Sequence, residues 1–169
     1  MALMHPPVCD FGTTAIDFNL PGTDGETWSL EKCRGENGTL IIFICNHCPY
    51  VKAIQSLLVR DTTELLAYGI NSVAIMSNDV VSFPEDSYEN MQKTSLEMGY
   101  TFPYLFDESQ DVARAYGAVC TPDFFGYNQD LALQYRGRLD DTTPSNSHPK
   151  ANRALFEAMK EIARTGAGP

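Results

Sequence analysis

The sequence predicts an α/β fold: a central mixed β-sheet flanked by helices and preceded by a β-hairpin. Three observations carry this. Residues 39–44 (TLIIFI) are a continuous apolar run, and residues 71–76 (NSVAIM) form a second such strand, as strands covered on both faces should. Between them, residues 49–68 place Val51, Ile54, Leu57, Leu58 and Leu65 at helical spacing. A strand, a helix and a strand at that separation form a βαβ unit with parallel strands. Further on, residues 124–127 and 133–138 flank Asn128-Gln129-Asp130, which reads as an antiparallel hairpin.

The remaining elements follow in order. Residues 11–30 read as the opening hairpin, with Pro21-Gly22 and Asp24-Gly25 as turn signals. Residues 34–38 (RGENG) make a second turn. Gly69 stops the helix that begins at Pro49. Residues 86–98 predict a helix that opens on acidic residues, as the helix dipole favours. Residues 104–106 form a short strand, and residues 110–116 a short helix ended by Gly117. Residues 152–164 form an amphipathic helix, followed by a frayed end with Gly166, Gly168 and Pro169. There is no repeat, low-complexity run or interdomain linker, so residues 1–169 read as one domain.

Composition narrows the function classes. A chain of 169 residues can bury a core without staples. Its net charge of −10 argues against nucleic acid and anionic membranes as partners. No stretch approaches the roughly 20 apolar residues of a membrane helix. Residues 1–7 (MALMHPP) lack the basic region and apolar run of a secretory signal, so the expected location is cytoplasmic. In that compartment, five cysteines at positions 9, 33, 45, 48 and 120 point to catalysis or metal binding rather than structural bridges.

The chemistry concentrates at Cys45-Asn46-His47-Cys48-Pro49, where the first apolar strand hands over to the helix. Cys-x-x-Cys in that context reads as a thiol–disulfide redox site. A short turn can bring two Cβ atoms to roughly 4 Å, as a disulfide requires. A helix N-terminus offers free N–H donors and partial positive charge, and both stabilise a thiolate.

These residues carry a resemblance. The pattern Gly12-x-x-Ala15-x-Asp17-Phe18-x-Leu20 followed by Asp24-Gly25, the strand–Cys-x-x-Cys-Pro–helix and Thr121-Pro122 before the later hairpin resemble the thioredoxin-like superfamily in its AhpC/TSA, peroxiredoxin-like branch. Residues 45–52 (CNHCPYVK), 119–125 (VCTPDFF) and 135–141 (YRGRLDD) are similar to a peroxiredoxin-like subgroup of thioredoxin-fold proteins. The resemblance implies a thioredoxin-like fold with a cis-proline at Pro122. It also implies a disulfide or hydroperoxide substrate, a cellular dithiol reductant, no cofactor, and a homodimer, since dimers are common in that branch. The chain departs from the pattern twice. A typical peroxiredoxin has Thr three residues before its peroxidatic Cys; here Ile42 precedes Cys45 and Cys45 precedes Cys48 at that spacing. A typical thioredoxin has Trp before its first Cys and Gly-Pro between the two; here His47 precedes Cys48, and Asn46-His47 fill the loop.

Two registers are open. Either Cys45 takes the thioredoxin nucleophile position and Cys48 resolves, or Cys48 takes it and Cys45 lies at the strand end. Counting from Ile41-Ile42-Phe43 favours the second. So does Pro49, because proline prefers the first helical position and makes Cys48 the N-cap. An N-cap thiolate can accept from the N–H groups of Tyr50 and Val51. Cys120, two residues before Pro122, reads either as a third redox cysteine near Cys48 or as a buried apolar residue.

Other side chains admit two readings each. His47 either lowers the thiolate pKa and donates a proton, or is a solvent-facing loop histidine. Arg136 and Arg138 either hold an anionic group near the site or, as Arg138 with Asp140, form an ion pair. Cys9 and Cys33 have no motif around them and read as bystanders. Trp28 reads as hairpin packing.

The leading expectation is a thiol–disulfide oxidoreductase acting through Cys48 and Cys45. A thiol-dependent peroxidase, in which one cysteine forms a sulfenic acid and another condenses with it, is the second. A copper-binding or metal-delivery module using Cys45, Cys48 and His148 is the third, because soft thiolates suit Cu(I).

Overall fold

A computed structural model of the chain describes residues 11–118, 121–137, 139 and 153–168. A five-stranded sheet forms its centre, in the order β5-β4-β3-β6-β7. These strands are β3 (Gly38–Phe43), β4 (Ile70–Met76), β5 (Tyr104–Phe106), β6 (Asp123–Asn128) and β7 (Leu133–Gly137). β3 and β4 are parallel, as are β4 and β5; β6 runs antiparallel to β3 and to β7. The sheet is therefore mixed. The parallel pair β3–β4 is bridged by the helix α2 (Pro49–Leu65), which closes through a 3-10 turn at Leu66–Tyr68. Gly69 ends it at φ 75°, and a Cβ there would meet the Asn37 side chain.

Alternation along β3 divides the core in two. Leu40, Ile42 and Ile44 face one cluster, packed under α2 and the C-terminal helix α5 (Ala154–Thr165). Ile41 and Phe43 face the other, beneath the N-terminal hairpin and the short helix α4 (Asp111–Tyr116). The hairpin is β1 (Asn19–Pro21) against β2 (Thr27–Ser29), antiparallel and turning at Gly22 to Gly25. The turn is fastened to the body: Thr23 N–H donates to the Tyr104 carbonyl at 3.0 Å and Tyr88 Oη–H to the Gly22 carbonyl at 2.6 Å.

Two local features differ from expectation. A one-turn helix, α1 (Leu30–Cys33), follows β2 because Ser29 caps it, accepting from Lys32 N–H at 3.2 Å. The helix expected from residue 86 starts later, as α3 (Tyr88–Met98). Pro84 opens a separate 3-10 turn, and Ser87 is the true N-cap, accepting from Asn90 N–H at 3.2 Å. Asp86 thus belongs to the loop before α3.

α5 is fastened to α2 by charge as well as by apolar packing. Asp61 is fully buried on α2 and pairs with Arg60 at 2.9 Å and with Arg153. Arg153 also reaches Glu64 at 2.8 Å and lies over the Phe156 ring. A buried carboxylate needs such cations, since a lone charge in the core is costly.

The register of the sheet decides where chemistry can occur. Phe43, the last residue of β3, pairs with Ile75 of parallel β4 and with Asp123, the first residue of antiparallel β6. Three loops therefore meet at one end of the sheet: residues 44–48, the loop after Met76 that contains Asp86, and the loop that ends at Pro122.

Candidate redox site

Cys48 occupies the N-cap of α2 with φ −65° and ψ 124°, and Pro49 is the first helical residue. The proline fits because its missing N–H is one that a helix start leaves unpaired anyway. Cys48 is partly exposed, whereas Cys45, just past β3, is 1% exposed and lies among the core residues. The two thiols act on one another, each shifting the other's pKa. Both are free thiols.

Thr121 faces both sulfurs from the β6 side. Its carbonyl accepts from Cys48 Sγ at 3.4 Å, and its hydroxyl lies 3.7 Å from Cys45 Sγ. The Thr121–Pro122 bond is cis, as the resemblance implied.

These contacts make the thiols unequal. The hydrogen bond from Cys45 chiefly holds the Cys48 thiol well below its ordinary range, at about 5; burial opposes this, and the N–H groups of Val51 and Tyr50 and the Thr121 side chain add to it. As a thiol, Cys48 spends its proton on the Thr121 carbonyl and makes no capping bond to the helix. As a thiolate, it can take up the helix N–H groups. Cys45 is pushed far up, first because it donates to Cys48 and next because it is buried; the Asp86 charge adds to the shift, and the Thr121 hydroxyl opposes it.

Asn46 and His47 are held from the loop before α3. Asn46 N–H donates to Asp86 Oδ1 at 2.7 Å, its side-chain amide donates to the Glu85 carbonyl at 3.0 Å, and it accepts from Tyr104 Oη at 2.8 Å. His47 Nδ1 lies 2.6 Å from Asp86 Oδ2, and its ring stacks on Phe83 at 4.8 Å. His47 is therefore not a free loop side chain: it lies between Asp86 and the Phe83 ring.

The structure thus brings together Cys45, His47, Cys48, Pro49, Thr121 and Pro122. Cys120 and Arg138, with Cys9, Asp140, Asp141 and His148, lie outside the described residues. Arg136 is used structurally: Nη2 donates to Asp123 Oδ2 at 3.0 Å and to the Gly117 carbonyl at 2.9 Å. Cys33 lies in the core cluster on the opposite sheet face, where burial pushes its thiol up to about 12. The sequence reading missed Asp86, taking it for the first turn of a helix. Pro84 and the cap signal Ser87-x-x-Asn90 were the available clues.

The profile of the AhpC/TSA family matches residues 11–142. An uncharacterized conserved protein from Geobacillus kaustophilus has a solved structure that is 45% identical, with a TM-score of 0.88 over 94% of this chain and 84% of that one. The thioredoxin domain of a thiol-disulfide oxidoreductase from Bacteroides vulgatus shares the fold at 14% identity, with a TM-score of 0.65 over 77% of this chain and 89% of that one. The thiol-disulfide oxidoreductase ResA of Geobacillus thermodenitrificans (strain NG80-2) is 26% identical over 121 residues, which is 68% of this chain and 61% of the relative. The chain thus spans about three fifths of the length of that curated relative. With the mixed sheet, its flanking helices and the family match over most of its length, this chain has a thioredoxin-like fold and belongs to the AhpC/TSA family.

Proposed function

We infer that the chain is a thiol–disulfide oxidoreductase with Cys48 as the attacking thiolate and Cys45 as the resolving thiol. The observation that carries this reading is the asymmetric pair. A partly exposed Cys48 caps α2 beside a buried Cys45, with Thr121 facing both sulfurs, and this setting lowers the Cys48 pKa to about 5 while it raises that of Cys45.

The Cys48 thiolate attacks one sulfur of a disulfide R–S–S–R′, forming a Cys48–S–S–R mixed disulfide and releasing R′S⁻. That step removes the negative charge from Cys48. The main cause of the raised Cys45 pKa disappears with it, so Cys45 can lose its proton to solvent. Cys45 then attacks Cys48 Sγ, the Cys48–SR bond breaks, and RS⁻ leaves. The Cys45–Cys48 disulfide retains the two oxidising equivalents until a dithiol reduces it. A protein or small-molecule disulfide is the substrate on this reading, and a cellular dithiol is the reductant.

One observation favours a peroxidase reading second. Cys45 stands three residues before Cys48 and donates to it, so a Cys48 sulfenic acid would have a thiol at hand to condense with.

Reduction of a model disulfide by the dithiol-fed protein, in chelator-containing buffer, tests the proposal. Turnover that is lost in Cys48→Ser is expected. No turnover with any dithiol donor, beside consumption of hydroperoxide, selects the second reading.

A further inference from the structure

Disulfide exchange by Cys48 and Cys45 involves Asp86 in no bond-making step. Its side chain is fully buried beside the two thiols, and a buried carboxylate is costly unless cations or hydrogen bonds meet it. Asn46 N–H donates to Oδ1 at 2.7 Å and Asn78 Nδ2 to Oδ2 at 2.9 Å. The third neighbour is different. His47 Nδ1 lies 2.6 Å from Oδ2 and is shielded from solvent, yet makes no hydrogen bond. A buried nitrogen and a carboxylate oxygen thus stand side by side outside hydrogen-bond geometry.

A sulfur completes the convergence. One donor atom each from Cys45, His47 and Asp86 all lie within 4.8 Å of one another. Cys48 Sγ and Cys45 Sγ both meet Thr121, at 3.4 Å from its carbonyl and 3.7 Å from its hydroxyl. Sulfur, imidazole nitrogen and carboxylate oxygen are the three donor types of zinc, bound at about 2.0–2.3 Å in four-coordinate sites. Tetrahedral donors at such bond lengths stand roughly 3.3–3.8 Å apart. The separations among Cys45, His47 and Asp86 reach that range by shifts of roughly an ångström.

The surroundings fix each donor. Cys45 is anchored at the end of β3 among core side chains. Asp86 is held by Asn46 and Asn78. The His47 ring is held flat against Phe83. Outer contacts of this kind orient metal ligands. The partly exposed Cys48 leaves an opening to solvent.

We propose that the reduced site binds one zinc-type divalent cation through Cys45, His47 and Asp86, with Cys48 completing four donors. This histidine is not His148, which the sequence pattern had offered as a copper ligand. The proposal stands apart from disulfide exchange, because that chemistry needs neither His47 nor Asp86 as a donor.

The test titrates the reduced, metal-stripped chain with Zn²⁺ against a chromophoric chelator, and with Co²⁺ while the visible spectrum is recorded. One equivalent of zinc and a tetrahedral cobalt spectrum with a thiolate charge-transfer band are expected. His47→Ala and Asp86→Asn should each weaken zinc binding about tenfold or more. Disulfide exchange, measured separately with chelator present, shows whether that function stands or fails independently. No uptake by the reduced wild type overturns the proposal. So does uptake that both variants leave unchanged, since the two thiols alone would then hold the ion. If Asp86→Asn does not fold, as circular dichroism would show, His47→Ala on its partly exposed side chain decides.

Discussion

The Thr121 carbonyl accepts a hydrogen bond from Cys48 Sγ at 3.4 Å, across the end of the sheet. It is a bond that only the protonated sulfur can make. Ionising Cys48 sacrifices it, so the depressed thiol pKa must be won elsewhere. Cys45 and the first N–H groups of α2 supply that stabilisation.

The first prediction isolates the larger contribution. Cys45→Ala removes the donor to Cys48. The pH at which Cys48 becomes reactive toward iodoacetamide should rise by about one unit or more, which is about 1.4 kcal/mol per unit. The rate of alkylation against pH measures it. An unmoved inflection would mean that the helix N-terminus alone tunes the thiol.

The same pair makes stability depend on pH. The folded Cys48 pKa, about 5, lies below its ordinary value of 9.0. A depressed acid contributes stability that is full above its unfolded pKa and is lost as pH falls through the folded one. The melting temperature of the reduced protein should therefore rise from pH 5 toward 8.5 more steeply than that of Cys48→Ser. Cys45, shifted the opposite way, begins to oppose this only as pH approaches 9. Parallel curves for the two proteins would contradict the assignment.

Arg136 bridges Gly117 and Asp123, the two ends of the loop that carries Thr121. Its pair with Asp123 is almost wholly buried, with side-chain exposures of 6% and 7%. Arg136→Ala should destabilise the fold by about 3 kcal/mol by taking a buried cation away from the Asp123 carboxylate. It should also slow Cys48 alkylation near pH 6, as Thr121 loses its placement. Urea denaturation and the alkylation rate read the two effects.

Much of this architecture was legible in the sequence, because it depends on local chemistry. The apolar run at residues 39–44, the helical spacing after Pro49 and the stop at Gly69 each act within a few residues, and β3, α2 and β4 stand where they pointed. Pro49 likewise marked Cys48 as the N-cap. The resemblance supplied one long-range relationship, the cis Thr121–Pro122 beside the cysteines; the others were not legible. Asp86 is 38 residues beyond Cys48 in the chain, and it reaches the site because β3 and β4 are parallel and end together. Its acidic neighbour Glu85 and the following Tyr-Glu-Asn made it look like the start of a helix. The buried Asp61 with Arg153 was hidden for the same reason: nothing in either segment announces a partner about 90 residues away.

The most direct test of the central claim is site-resolved alkylation of the reduced protein across pH 4 to 10, with each cysteine quantified by mass spectrometry in metal-free buffer. Cys48 should react first, with an inflection near 5, while Cys45 and Cys33 stay protected through neutral pH. Equal reactivity of Cys45, or a Cys48 inflection near the ordinary thiol value, would contradict the account.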